Sequence, residues 1–353
     1  MERTVMGERL QGLTVWVGER LAERGESGFS SGLMPVSGDA SFRRYFRARA
    51  DGRSWIAVDA PPEKEDSLPF VEIAAAWRAQ GIPVPEVIAA DLAQGFMLLE
   101  DFGDRLLLAE LDEDSADPLY DLALDTLAAL QQLSPAGLPP YNQLLLQREM
   151  ALLDEWFLPG LLDIELSPPE TQLLDRVKAM LVDNARSQLQ VPVHRDYHSR
   201  NLMLREAPSR LGVIDFQDAV EGPVTYDLVS LLKDSYVRWP DADMSRWVEA
   251  HRQRLITAGL SLPAPDLFRR HFDLMGMQRQ LKVLGIFARL SLRDGKPGYL
   301  KDIPRTFGYL YRACGSYPEF ADLKNWLTER VLPAMRDHEA WDRACIDREI
   351  STL

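Results

Sequence analysis

The chain has 353 residues, enough for about two structural units and for a buried core that needs no covalent staples. Its composition, 46% apolar and 27% charged, is that of a globular protein and excludes a disordered or fibrous one. A formal charge of −14 repels phosphate backbones and anionic lipid, and no run approaches the ~18 apolar residues of a membrane span, so neither nucleic acid nor membrane is an expected partner.

Residues 1–25 carry Leu10, Leu13, Val17 and Leu21 at helical spacing, and Gly25 ends the pattern. Acids run through this stretch, which has no apolar leader core, so a soluble cytoplasmic protein is expected. Segments 31–36, 42–50 and 54–60 predict short strands, turned by Gly38 and by Asp51-Gly52. From Ser67 to Gln80 the helical period returns, with Phe70, Ile73, Ala74 and Trp77 on one face and Gly81 as the stop. Strands Val87–Ala90 and Phe96–Leu99 follow, the second breaking into Glu100-Asp101-Phe102-Gly103. Beyond this the chain reads as helical except for residues 191–216, which read as one small sheet: VPV, a polar loop HRDYHSRN, LML, REAPSR and LGVIDF. Cys314 and Cys345 are too few for a disulfide framework and lack C-x-x-C spacing. The pattern predicts an α+β protein of two lobes. A small N-terminal antiparallel sheet lobe with its helix spans 1–100, and a larger, mostly helical C-terminal lobe spans 101–353.

The chemistry concentrates in the loop from His194 to Asn201. It holds a carboxylate, Asp196, and five residues on a carboxamide, Asn201; fourteen residues later Asp215 ends the apolar run LGVI. Strand ends are where a rigid scaffold presents polar groups to a cleft. Phosphoryl transfer needs this set: one carboxylate to take a hydroxyl proton, and an amide oxygen with a second carboxylate to hold Mg²⁺. A lone Asp or Asn in a loop is ordinarily a turn former or a cap, but three in this order on strand ends outweigh that reading. A metal hydrolase is the rival, with His194, Asp196 and His198 as a ligand cluster. Against it stand the turn-like flanks and a total of five histidines, 194, 198, 251, 271 and 338.

H-x-D-x-x-x-x-N followed by I-D-F resembles the catalytic and metal-binding motifs of the kinase-like fold, in its aminoglycoside phosphotransferase branch. The resemblance implies a two-lobed protein-kinase-like fold that uses ATP and Mg²⁺, with Asp196 as catalytic base and Asn201 and Asp215 as Mg²⁺ ligands. His194 becomes a structural buttress. Asp227, in GPVTYDL (222–228), becomes a brace for the catalytic loop; at a predicted helix start its reading is structural in any case. No P-loop is present, so the phosphate-covering turn is expected between the first two strands, at Gly38, Asp39 and Ser41. The strand lysine that the resemblance calls for is missing, and Asp59 stands near its place in SWIAVDAPP. Arg43 and Arg44 are the candidate replacements. Arg44 shares a strand face with Phe42 and Phe46 and Arg43 faces the other way; alternation does not fix which face meets the cleft. Glu72 is where a glutamate partner is expected, with a plain solvated helix face as the alternative. Glu100 to Phe102 forms the expected hinge, whose backbone pairs with adenine.

Three stretches narrow the resemblance to one subgroup, the bacterial anomeric kinases for N-acetylmuramate and N-acetylglucosamine. They are DAPPEKED (59–66), HRDYHSRNLM with VIDFQDAVEGPVTYDLVSLLKDSY, and QRQLKVLGIFARLSLRDGKPGYLKDIPR (278–305). The subgroup implies transfer to the anomeric hydroxyl, giving a sugar 1-phosphate, in recycling of cell-wall sugars. A helix predicted near Leu267–Leu290 carries Arg279, Lys282 and Arg289. A guanidinium fork there suits the lactyl carboxylate of muramate, and pairing with surface acids is the plain alternative for each cation. His198, Arg200, Gln217, Asp218 and Glu221 are further candidate sugar contacts. The competing readings are a phosphotransferase for aminoglycosides or another small alcohol, since the acidic chain attracts polycations, and a nucleotide-binding pseudokinase lacking the strand lysine. A sugar and ATP are the expected partners, and a monomer suffices.

Overall fold

A computed structural model describes residues 2–26, 28–29, 32–38, 42–206 and 211–351. The chain forms two compact units: Met1–Leu107 with Asn201–Asp218, and Leu108–Arg200 with Ala219–Leu353.

The first unit opens with helix α1 (Glu2–Glu23) and a sheet of five antiparallel strands in the order β1-β2-β3-β5-β4. They are β1 (Met34–Gly38), β2 (Arg44–Ala50), β3 (Arg53–Asp59), β4 (Val87–Asp91) and β5 (Phe96–Glu100). Both residues of the β2–β3 turn, Asp51 and Gly52, have positive φ (48° and 78°), which a two-residue hairpin turn of matching twist requires. Alternation puts Phe46, Ala48, Ala50, Trp55, Ala57, Phe96 and Leu98 in one core with Leu13, Val17 and Leu21 of α1. Each of the larger side chains here, such as Phe46, Leu98 or Leu13, contributes ~1.5–3 kcal/mol on withdrawal from water.

Helix α2 (Leu68–Ala79) buries Phe70, Ile73, Ala74 and Trp77, as its period predicts. Their cover comes from far along the chain: the Phe216 ring lies 4.6 Å from that of Phe70 and 5.8 Å from that of Trp77. Phe216 follows a hairpin of β7 (Leu202–Leu204) and β8 (Leu211–Val213). The backbone N–H of Leu204 donates to the Arg105 carbonyl (2.8 Å) and that of Val213 to Pro83 (2.9 Å). Gly212 lies so close to the Phe102 ring that a Cβ would sit 2.4 Å from it. These bonds join residues 201–218 to the N-terminal unit, whereas a sequence boundary at residue 100 puts them with the helices.

The second unit is mostly helical. Its principal helices are Ala116–Gln131, Gln143–Leu152 running into a π-helical stretch Leu153–Leu161, Pro168–Ser187, Asp241–Thr257, Pro265–Leu292 and Ile303–Gly315. Two of these helices start at a proline, Pro168 and Pro265, and Ser167 with Glu170 forms a capping box at the first. Strand β6 (Gln190–Val193) pairs antiparallel with β9 (Val220–Pro223). The stretch read as one small sheet is therefore two ribbons, β6 with β9 and β7 with β8. β9, VEGP, escapes pattern reading because glycine and proline mark turns and its partner is thirty residues away. The long helix Pro265–Leu292 is buried on nearly every side, and Gly285 admits the Leu152 backbone, which a Cβ would approach to 2.3 Å. Trp326 and Trp341 pack in the core, their indole N–H groups bonded to Glu170 and the Leu300 carbonyl. Among the described residues no helix is long and apolar enough to cross a membrane.

Candidate active site

In the helical unit, the loop after β6 is fixed by two carboxylates at opposite ends of the short Tyr226–Leu232 helix. Asp227 accepts the N–H groups of His194 (2.6 Å) and Arg195 (3.0 Å). Asp234 accepts the N–H (3.0 Å) and hydroxyl (2.5 Å) of Ser199 and the N–H of Tyr236 (2.9 Å). The His194 ring, fully buried, takes the Asp196 N–H on Nδ1 at 3.2 Å. Arg195 is held at φ 75°, a conformation a non-glycine residue keeps only where its surroundings impose it. The backbone is thus clamped from behind, while the Asp196 side chain stays 43% exposed and open to a reactant.

Buried cations surround this carboxylate. Lys282 meets Glu149 (3.0 Å) and donates to the Tyr226 hydroxyl (3.0 Å). Arg195 and the Tyr141 hydroxyl bond the same glutamate. The Arg279 guanidinium, with its side chain only 7% exposed, lies 4.0 Å from Asp196 Oδ1. Burial pushes the Asp196 pKa up, but Lys282, His198, Arg279 and Arg195 outweigh it and bring it down to about 2. Burial lifts Asp227 to about 7 despite its two N–H donors. His198, its ring 5.5 Å from that of Tyr236, is pushed down by burial; Arg200 is exposed and lies over the same Tyr236 ring, 4.8 Å from its centroid. Arg279 and Lys282 are therefore buried beside the His194–Asn201 loop and not on a solvated face, and Lys282 is bound into the Glu149 network. Arg289, further along the same helix, is half-buried.

In the sheet unit, the β7–β8 hairpin brings Asn201 and Asp215 together. The Ile214 N–H donates to the Asn201 carbonyl (3.0 Å), and Asn201 Nδ2 lies 3.4 Å from Asp215 Oδ2. Gln217 Nε2 donates to Asp215 Oδ1 at 2.9 Å, and Asp215 itself is held at φ 67°. Gln217 Oε1 is a buried acceptor with no hydrogen-bond donor among the described residues. The Asp215 carboxylate with the amide oxygens of Asn201 and Gln217, the second of them the orphaned acceptor, offers oxygen donors of the kind Mg²⁺ shares with phosphates. Among the described residues no three His, Cys, Asp or Glu side chains converge as a metal cluster, so the His194–Asp196–His198 set is not assembled for a transition metal. Asp218 is exposed. Glu221 lies within β9, where its backbone bonds Pro139 and Tyr141.

The other expected nucleotide residues have varied settings. Gly38 ends β1 opposite Arg44, while Asp39 and Ser41 lie outside the described residues. Arg44 faces Asp59 directly across the β2–β3 ladder, and its guanidinium bonds that fully buried carboxylate (Nε, 3.0 Å). Arg9 of α1 bonds the other oxygen (3.0 Å). Asp59 and Arg44 thus share the sheet face that α1 covers. Arg43, on the opposite parity, is buried and meets Glu65 at 3.4 Å. Glu72 is on the exposed face of α2. Glu100 receives Arg78 (2.9 Å), the Glu86 N–H (3.2 Å) and Arg205, and Arg205 lies 4.3 Å over the Phe102 ring. The side chains of the expected hinge therefore anchor the β7–β8 hairpin. Sequence reading missed Glu149, Asp234 and Arg9; the D-S-Y after Lys233 offered a weak sign of the second, and nothing local marked the other two.

Residues 32–266 match the family model described as the phosphotransferase enzyme family. The N-acetylmuramate/N-acetylglucosamine kinase of Pseudomonas aeruginosa is 46% identical over 82% of this chain and 86% of its own. The protein of the same name from Pseudomonas putida is 44% identical over 91% of this chain and 96% of its own. Among solved structures, the ethanolamine kinase of Plasmodium vivax shares the fold, with a TM-score of 0.61 at 11% identity, covering 82% of this chain and 84% of that one. The chain, with its antiparallel sheet unit and its larger helical unit, thus has a kinase-like fold. Carrying the motif order of that architecture and a family match across most of its length, the chain belongs to the phosphotransferase enzyme family, whose members move a phosphoryl group onto an acceptor hydroxyl.

Proposed function

We propose that this enzyme phosphorylates the anomeric hydroxyl of N-acetylmuramate and N-acetylglucosamine with ATP, giving sugar 1-phosphates for recycling of cell-wall sugars. The observation that carries the substrate is the extent of the likeness to kinases of that name, 46% identity over 82% of the chain. Electrostatics favour the same reading. The carboxylate that takes the proton has Arg279, Arg195 and Lys282 around it, which suits an anionic sugar and disfavours an aminoglycoside polycation.

In this reading Asp196 accepts the proton of the anomeric hydroxyl, which is more acidic than an ordinary alcohol, so an exposed carboxylate serves without a raised pKa. The anomeric oxygen of the sugar then bonds to the terminal phosphorus of ATP as the bond from that phosphorus to the bridging oxygen breaks, and ADP leaves. Asn201 and Asp215 would hold Mg²⁺, which when bound neutralises charge on the phosphates; Gln217 fixes the rotamer of Asp215. Asp227 and Asp234 keep the loop in place through its backbone.

The test is Mg·ATP-dependent turnover of N-acetylmuramate, N-acetylglucosamine, glucose and kanamycin, with phosphorus NMR on the products. A phosphorus signal coupled to the anomeric proton, from the acetylated sugars alone, is expected. Phosphorylated kanamycin would replace the substrate while keeping the chemistry, and ATP binding without turnover of any acceptor would point to a pseudokinase.

A further inference from the structure

The long Pro265–Leu292 helix buries two cations one turn apart, and they are treated differently. A buried charge is costly unless paired and hydrogen-bonded. Lys282 meets that demand with Glu149 and the Tyr226 hydroxyl, both at 3.0 Å. Arg279 does not. Its side chain is 7% exposed, its one ion pair is the 4.0 Å approach to Asp196, and among the described residues it donates no hydrogen bond. A planar fork of N–H donors thus lies with one terminal nitrogen 4.0 Å from the Asp196 carboxylate and with no hydrogen-bond acceptor among the described residues.

An acceptor hydroxyl must come within ~2.6–3.2 Å of Asp196 to give up its proton. The group that reaches this hydroxyl next is the phosphoryl group. We propose that Arg279 is a catalytic residue that grips the phosphoryl group as it passes to the acceptor hydroxyl beside Asp196; this rests on the kinase reading above. In the step, the bond from the acceptor oxygen to phosphorus forms and the bond from phosphorus to the bridging oxygen of the nucleotide breaks. The proton goes to Asp196, and the electron pair leaves on the nucleoside diphosphate. Negative charge stays on the three non-bridging oxygens throughout, and a guanidinium fork matches two of them at once. Lys282, already bonded, contributes charge from behind, and Arg195 is turned to Glu149.

The rival ligand for the same fork is a carboxylate on the substrate, which N-acetylmuramate has and N-acetylglucosamine lacks. Steady-state kinetics on both sugars therefore separate the two, using full-length wild type, Arg279→Lys and Arg279→Ala, each checked by thermal unfolding. Arg279→Ala is expected to lower kcat by about 10²–10³-fold on both sugars alike with KM changed less than about threefold, in line with loss of one preorganised donor. Arg279→Lys and added guanidinium should each restore part of the loss. Calorimetry supplies a readout without turnover: Arg279→Ala should bind ADP as wild type does but lose about 10²-fold in affinity for ADP with aluminium fluoride, a mimic of the phosphoryl group in flight. A rise in KM for N-acetylmuramate alone would overturn the proposal in favour of a carboxylate receiver. Unchanged kcat and unchanged fluoride-complex affinity in a folded Arg279→Ala would overturn it outright. Wild type inert on both sugars would instead remove the functional reading, and this inference with it.

Discussion

Two carboxylates carry the motif, and the protein supports them in opposite ways. Asp196 sits in a loop whose backbone strain falls on its neighbour Arg195, and its surroundings are cations. Asp215 bears the left-handed conformation itself and is met by the carboxamides of Asn201 and Gln217. The difference follows from the work each group is proposed to do. A base must start ionised and take up a proton only as the reaction proceeds, so neighbouring charge holds it ready. A metal ligand is oriented best by neutral donors, because the positive charge is to come from the metal.

The sharpest way to break this comparison is Asp196→Asn. It is expected to lower kcat by about 10²–10⁴-fold while nucleotide affinity changes little, measured by kinetics alongside nucleotide titration. Normal turnover would remove Asp196 as the base. On the other side, Gln217→Ala should release Asp215 and raise the Mg²⁺ concentration for half-maximal activity by ~10–100-fold, with manganese affinity by electron spin resonance falling in parallel. An unchanged metal requirement would show that the Gln217 amide does not orient the ligand.

Asp234→Ala tests the clamp behind Asp196. It leaves the N–H groups of Ser199 and Tyr236 without their acceptor, at a cost of ~1–3 kcal/mol, and thermal unfolding together with kcat should report both loosened folding and slower turnover. The smallest expected effect separates the two units as wholes. His251 is fully buried against Gln131 (2.9 Å), and burial with Arg254 nearby pushes its pKa down to about 3. The unfolded imidazole binds a proton below about pH 6.5 and the folded one does not, so the unfolded state holds the extra proton and acid destabilises. Stability should fall by ~1.4 kcal/mol per pH unit from this group between about pH 6 and 4, and His251→Gln should flatten that slope. Hydrogen exchange at pH 5 should show the loss in the Ala116–Gln131 and Asp241–Thr257 helices before the five-stranded sheet.

What the sequence made legible was local. The five strands of the N-terminal sheet, the apolar face of α2 and the triplet Asp196, Asn201 and Asp215 all announce themselves through alternation, period or motif spacing. The supports do not. Glu149 reaches Arg195 across 46 positions and Arg9 reaches Asp59 across 50, and such long-range pairs leave no trace in a window of ten residues. The long helix hid its role for another reason. Being buried on nearly every side, it lacks the polar face that would have separated a core cation from a surface one. The place of the absent strand lysine is understood only with the fold in hand. The acid there, Asp59, has Arg44 directly opposite across the ladder and Arg9 above it, an arrangement that alternation alone could not predict.

The attachment of residues 201–218 to the sheet unit has a consequence for how the protein is made. On the ribosome, residues 1–107 emerge first, yet Phe216 is still unsynthesised when α2 is already exposing Phe70 and Trp77. At ~5–20 residues per second the wait lasts roughly 5–20 s. For that interval the nascent sheet carries an aromatic face without its cover. Completion of the N-terminal unit is therefore timed by the synthesis of the segment that carries Asn201 and Asp215.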